Sequence, residues 1–154
     1  MQLDNKDRKL LNLLQENSRE SLTVLSKALN LSIDSTHKRL KKLLNSGIIN
    51  LGIYPDPKKL GYEFVVNVQI KLNNISEEEL NKFISFLKAH PRVIELISTL
   101  GDYDLTCILI ARDTEDLEEI SRAIRQKFRN IINDWHTVIN LKIHKFEEYN
   151  FQEL

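Results

Sequence analysis

The sequence predicts an α+β protein: an N-terminal trihelical helix-turn-helix domain, a strand linker, and a C-terminal ferredoxin-like βαββαβ domain. Three observations predict it. Residues 22–49, LTVLSKALNLSIDSTHKRLKKLLNSGII, read as two short helices joined by a tight turn. Pro55-Asp56-Pro57 then breaks the chain, because neither proline can donate to a strand ladder. Beyond that break, strand-like and helix-like apolar patterns alternate in the order β-α-β-β-α-β, which suits an antiparallel sheet with two helices on one face. The limits are expected at 1–50 for the helix-turn-helix domain, 51–61 for the strand and linker, and 62–154 for the ferredoxin-like domain.

Each element has its own signal. A first helix is expected from about Asp4 to Glu16, with Leu3, Leu10, Leu11 and Leu14 as its apolar stripe and Asp4 and Asp7 capping its first turn. Ser21 caps a helix from Leu22 to Leu29, which offers Leu22, Leu25, Ala28 and Leu29 to a core. Ser32 caps the next, Ile33 to Ser46, and Gly47 ends it. Asn50 to Tyr54 reads as a short strand. Phe64 to Leu72 is a strand rich in β-branched residues, and Ser76 followed by three glutamates starts a helix to Ala89. His90-Pro91 stops that helix. Val93 to Thr99 and Leu105 to Ala111 are strands joined around Leu100 to Asp104. Asp113 or Thr114 begins a helix buried through Leu117, Ile120, Ile124, Phe128 and Ile131, with Trp135 placed near its end. The last strand is expected from about Thr137 to Phe146, and the open sheet face is left for a partner subunit.

Charge is distributed unevenly. The whole chain balances 22 basic against 22 acidic side chains, but residues 1–60 hold 11 against 6 and residues 61–154 hold 11 against 16. A basic N-terminal part is suited to a polyanion. On the Ile33 helix, Ile33, Thr36, Leu40, Leu43 and Leu44 share the inner side, whereas Asp34, Ser35, His37, Lys38, Lys41, Lys42 and Asn45 share the outer one. Such a face fits a DNA major groove. Ser35, His37 and Lys38 are expected at base edges, with Lys38 donating to guanine O6 and N7. Arg39, Lys41 and Lys42 are expected to clamp phosphates, although solvation alone also accounts for exposed lysines. Asp34 would repel phosphate, so it is expected to accept from a cytosine amino group or to cap the helix. Ser21 and Thr23 can meet phosphate through their helix's amide end, but a plain N-cap is the simpler role for Ser21.

Several fragments, in order and spacing, resemble the Lrp/AsnC (feast/famine) transcriptional regulators over essentially the whole chain. They are Leu3-Asp4 with Asp7 to Leu11, Leu31-Ser32 with Arg39, Leu43 and Gly47 to Ile49, then Asp56 to Gly61, His90 to Val93, and Gly101 to Asp104. The resemblance implies a sequence-specific DNA-binding regulator of transcription, a homodimer through its C-terminal sheets with tetramers or octamers beyond, and a small-molecule effector such as an amino acid. It places the effector against Thr99, Leu100, Gly101, Asp102, Tyr103 and Asp104. Family members usually carry Thr where Leu100 stands, so a hydroxyl is missing from a ligand-contacting position. They also commonly begin the recognition helix with Pro and small polar residues, where this chain has Ile33-Asp34-Ser35. Thr36 replaces an aliphatic core residue, and the linker strand is about a residue shorter. A dimer implies a pseudo-palindromic operator with half-sites about one turn apart or a multiple of it.

Other functions find less support. Siroheme decarboxylases resemble the same architecture, but they use paired basic and histidine residues around the linker strand, and Asn50 to Asp56 holds neither His nor Arg. A non-specific architectural DNA-binding protein would keep the phosphate clamps and lose sequence discrimination. His37, His90, His136 and His144 lack metal-ligand spacing, although His136 and His144 lie an even number apart and can share a strand face. Asp102 and Asp104 suit a turn that satisfies backbone amides. No metal, cofactor or catalytic residue is expected. Cys107 is the only cysteine and reads as buried, so no intrachain disulfide is available. No apolar run is long enough to span a membrane, and the N-terminus has no secretory signal, so a cytoplasmic protein is expected.

Overall fold

Residues 2–153 are described by a computed structural model. The chain separates into two compact units. One takes the residues up to Tyr54 together with those from His144 onward, and the other runs Pro55–Ile143.

In the first unit, α1 (Asn5–Glu16) begins with a reciprocal capping box: the Asp4 carboxylate accepts from the Asp7 N–H, and the Asp7 carboxylate accepts from the Asp4 N–H. Ser21 caps α2 (Leu22–Leu29), which ends on Asn30 in the left-handed region at φ 53°. Ser32 caps α3 (Ile33–Asn45), and Gly47 follows at φ 72°, a left-handed conformation that glycine adopts at least cost. Leu10, Leu11, Leu14, Leu25, Leu29 and Leu43 are buried together as one small core. Thr36, in an aliphatic position, is fully buried, and its hydroxyl is satisfied by donating to the Ser32 carbonyl. Ile33, expected on the inner side of α3, is 51% exposed.

Two expectations need correction here. Asn50–Tyr54 forms no strand: a β-segment needs a ladder partner, and these residues have none among the described residues, so Leu51, Ile53 and Tyr54 stand exposed. The residues from His144 onward, placed by their order in the sequence with the second domain, pack in the first unit instead. Tyr149 exchanges hydrogen bonds with the Gln15 side chain at 2.9 and 3.0 Å, and Phe151 packs against the leucine core.

In the second unit, a 3-10 turn at Lys58–Leu60 leads through Gly61 at φ 85° into β1 (Phe64–Leu72). Then come α4 (Glu77–Ala89), β2 (Val93–Ser98), β3 (Leu105–Ala111), α5 (Thr114–Lys127) and β4 (Ile132–Asn140). The strands form one antiparallel sheet in the order β2-β3-β1-β4. Val66, Val68 and Ile70 of β1 join Phe83 and Leu87 of α4, Leu117 and Ile124 of α5, and Cys107 and Leu109 of β3 in the core. Burial pushes the Cys107 thiol up to about 12, so it is an inert packing residue at neutral pH. The alternate residues Val65, Asn67, Gln69 and Lys71 line the opposite, open face.

The last strand differs from its expected range. It starts at Ile132 and ends at Asn140, because it pairs with β1 from Leu72↔Ile132 to Val65↔Asn140 and the ladder stops with its partner. Trp135 therefore lies on β4 and packs against the core, not at a helix end. His144 lies beyond the strand, so it shares no strand face with His136.

Candidate DNA interface and effector loop

Helix α3 presents His37, Lys38, Lys41 and Lys42 as exposed side chains, with Ser35 half-buried at its start. The Ser32 hydroxyl accepts from the Ser35 N–H and donates to the Ser35 hydroxyl at 2.9 Å, which fixes the first turn. Lys38 forms an ion pair with Asp34 at 2.8 Å, and hydrogen bonding to that carboxylate raises the Lys38 pKa. Asp34 thus neutralises Lys38 in the free protein, and the helix cap is Ser32. Replacing Asp34 with Asn removes a repulsive charge and frees the ammonium. Affinity for a random-sequence duplex at low salt is expected to rise about five-fold, from the Coulomb energy of one exposed charge near phosphate. Fluorescence anisotropy titration checks it, and an unchanged or weaker affinity would refute the neutralising role.

Arg39 is placed differently from its expected role as a phosphate clamp. Its Nη1 reaches Asp4 at 2.7 Å and Asp7 at 2.6 Å, and the Asp7 side chain is only 3% exposed. The guanidinium is committed to joining α3 to the start of α1, so it holds α3 from behind. The carboxylates hold the Arg39 pKa up, while the Asp7 backbone N–H and then Arg39 hold Asp4 below its usual value. This staple is what sequence reasoning missed. Its only local signal is the capping-box pair itself.

The loop after β2 has a defined internal structure. The Thr99 hydroxyl donates to the Tyr103 carbonyl at 2.7 Å, and the Thr99 N–H donates to the Asp104 carbonyl at 2.9 Å. Asp104 anchors the loop: its carboxylate accepts from the Leu72 N–H at 2.8 Å and sits 3.4 Å from the Lys71 ammonium. It satisfies a backbone amide, as a turn carboxylate predicts. Gly101 adopts φ 154°. Leu100 is fully exposed at the tip, with Asp102 beside it also exposed. The Tyr103 hydroxyl donates to Asp134 at 3.2 Å and its ring stacks on His136, with centroids 6.2 Å apart. Desolvation, then Asp134, raises the Tyr103 pKa. Asp134 and His136 of β4 join the loop on the open sheet face, since they pair across from Lys71 and Gln69.

The His90-Pro91-Arg92-Val93 motif is structural. His90 Nδ1 accepts from the Arg92 N–H at 3.2 Å, and Arg92 grips Asp116 through two guanidinium nitrogens at 3.1 Å while lying over the Tyr62 ring. Desolvation, then Arg92, lowers the His90 pKa. Among the described residues, no group of three or more His, Cys, Asp or Glu side chains is placed to hold a metal ion, and no helix is long and apolar enough to cross a membrane.

A helix-turn-helix with an outward basic face, joined to a separate α+β unit, is the architecture of a DNA-binding protein with a second domain. Comparison with known proteins identifies which one. Residues 3–44 match the AsnC-type helix-turn-helix domain, and residues 65–148 match the Lrp/AsnC ligand binding domain. An HTH-type transcriptional regulator of Methanocaldococcus jannaschii is 32% identical over 150 residues, covering 95% of both chains. The structure of AsnC from Escherichia coli superposes with a TM-score of 0.84 at 26% identity, covering 97% of this chain and 99% of that one. A Neisseria meningitidis transcriptional regulator solved in complex with L-Met shares the fold, with a TM-score of 0.84 at 21% identity and 94% of each chain covered. The chain belongs to the Lrp/AsnC family of DNA-binding transcriptional regulators, in agreement with the resemblance read from its sequence.

Proposed function

We propose that this regulator reads a pseudo-palindromic operator as a homodimer through its two α3 helices, and that a small amino acid or related metabolite at the 99–104 loop modulates its hold. The observation that carries the reading is the outward α3 face. His37, Lys38, Lys41 and Lys42 are exposed together, while Arg39 is turned inward to hold the helix. Base contact is assigned to Ser35, His37 and Lys38, and phosphate contact to Lys41 and Lys42.

Dimerisation through the open sheet face is supported by what that face lacks. Asn67 stands in the middle of β1, and its Oδ1 is buried with no hydrogen-bond partner. An orphaned buried acceptor costs about 1–3 kcal/mol, so a shift of the Asn67 side chain toward a donor on a second copy would stabilise the assembly. Val138 and Ile97, 46% and 44% exposed, give the same face apolar surface to cover. Association to tetramers or octamers rests on the family resemblance.

Effector binding is supported by the chemistry gathered around the loop. A phenol, an imidazole and the carboxylates of Asp102 and Asp134 suit a small zwitterion better than an apolar ligand, and the Neisseria relative was solved with an amino acid. An effector acts by its differential affinity for two arrangements of the assembly. Footprinting on the DNA upstream of the protein's own gene, across salt concentrations, tests the DNA part. Protected half-sites spaced by a helical turn or a multiple are expected, with protection fading steeply in salt. Protection no better than on random DNA would refute sequence-specific reading. Sedimentation at micromolar concentration tests the dimer, and a monomer with DNA binding intact would end that part of the reading.

A further inference from the structure

Arg122 and Arg125 are exposed on helix α5, and Arg129, also exposed, extends the row in the turn just past the helix end at Lys127, at spacings of three and four residues. Together with Gln126 they line an open concavity of about 560 Å³. None of the three forms an ion pair among the described residues, although Glu118 stands four residues before Arg122 at the spacing that pairs Asp34 with Lys38 and Glu78 with Lys82. Arg125 is also oriented, since its Nε donates to the Ser121 carbonyl at 3.3 Å.

Two ordinary explanations fall short. Cations in the last turn of a helix complement its dipole, but that effect fades within one turn, and Arg122 lies near the middle of α5. A general excess of basic residues is absent: residues 61–154 hold 16 acidic side chains against 11 basic ones. The concentration of arginines is therefore local, set against a domain of the opposite sign.

We propose that this arginine face is a second, sequence-independent contact for the DNA backbone, supplied by the ligand-binding domain. The proposal rests on the DNA-binding reading above. Arg122 and Arg125 lie about 4.5 Å apart along the helix axis, Arg129 extends the row past the helix end, and one DNA strand offers a charge about every 3.4 Å of its axis. Three guanidiniums thus face a run of about three phosphates. Guanidinium also matches phosphate oxygens bidentately, which an ammonium cannot do. Glu115 and Glu118, one to two turns earlier on the same helix, keep the backbone to its C-terminal half.

The test measures binding of the full chain to a 60-base-pair random-sequence duplex (a length of about 60 chosen to exceed one half-site pair) as a function of salt. With all three contacts made, replacing the row as R122Q/R125Q/R129Q lowers the slope of log K against log salt by about 2–3 per bound protomer. That amounts to about a forty-fold smaller loss of affinity over a four-fold rise in salt. The triple Lys variant is expected to keep most of the slope, which separates charge from any loss of packing, and circular dichroism confirms the fold of both. A slope unchanged in the Gln variant overturns the proposal. So does a Gln-variant slope restored to no extent in the Lys variant. Inorganic phosphate that stabilises the wild type against heat, without any change in DNA slope between variants, would assign the face to a free phosphorylated ligand and also overturn it. Failure of the underlying reading looks different, because the wild type would then bind no DNA at low salt.

Discussion

Arg39→Ala is expected to destabilise the helix-turn-helix unit by about 2–3 kcal/mol. The guanidinium sits between Asp4 and Asp7 at 2.7 and 2.6 Å, and Asp7 is nearly inaccessible to water. Removing the cation strands that buried carboxylate. Breaking a buried pair from one side commonly costs 3–5 kcal/mol, and the lower figure reflects a guanidinium that is 29% exposed. A core of six buried leucines offers little reserve. Urea unfolding followed by far-ultraviolet circular dichroism measures the loss, and an unchanged midpoint would refute the staple. A companion variant, Asp7→Leu with Arg39→Met, is expected to lose less than the two single changes added together, since no charge is then left buried. The same geometry separates this role from a phosphate clamp. At temperatures where Arg39→Ala remains folded, its salt slope on DNA should match the wild type, whereas losing a phosphate contact would lower it by about 0.9.

Acid should act on the same place. The Asp4 carboxyl is held below its usual value in the folded chain by the Asp7 backbone N–H and then by Arg39. A carboxylate depressed on folding contributes stability that is present above its unfolded pKa and lost as pH falls through the folded value. The midpoint of the helical unit is therefore expected to vary little from about pH 7 to 5 and to drop below about pH 4. Replacing Asp4 with Asn should flatten that acid limb. A wild-type midpoint that stays level down to about pH 3 would show that Asp4 contributes nothing.

Helix starts were legible in the sequence because caps are local. Asp4 with Asp7, Ser76 with Glu79, and Ser21, Ser32 and Asp113 each sit within three residues of the N–H they satisfy. Strands β1 and β3 were equally plain from β-branched runs bounded by turn residues. What escaped depends on distant partners. Arg39 lies 35 and 32 residues from the carboxylates it joins, and a basic residue on an amphipathic helix looks the same whether it faces DNA or a buried acid. Strand β4 was displaced because Ile124, Phe128 and Ile131 keep helical spacing past the true helix end, while its far end is set by the length of β1. At the loop, the stretch 99–104 was visible through its Gly-Asp pair, but Asp134 and His136 join it only through strand register.

Ending the chain after Ile143 is expected to weaken the helix-turn-helix unit selectively. The segment from His144 onward carries no apolar periodicity, yet it seats along α1 through its backbone. Arg8 Nη1 donates to the Phe151 carbonyl at 2.8 Å, the Phe151 N–H donates to Asn12 Oδ1 at 3.3 Å, and Tyr149 exchanges two hydrogen bonds with Gln15. Phe151 adds a partly buried ring to the leucine core, and Tyr149 packs against that ring at 5.7 Å. A half-buried phenylalanine contributes about 1–2 kcal/mol and the two part-buried hydrogen bonds about 1 kcal/mol each, so the truncation should cost about 3 kcal/mol. Side chains of α1 that look like a solvated polar face thus bind a strap from the far end of the chain. Hydrogen exchange resolves the effect by region: α1 and α2 amides should lose protection, while β1, β3 and α5, whose core lies wholly within Pro55–Ile143, should keep it. Phe151→Ala alone should reproduce about half of the loss. Equal loss of protection in both units would show that the tail stabilises the whole chain and is not a part of the reading head.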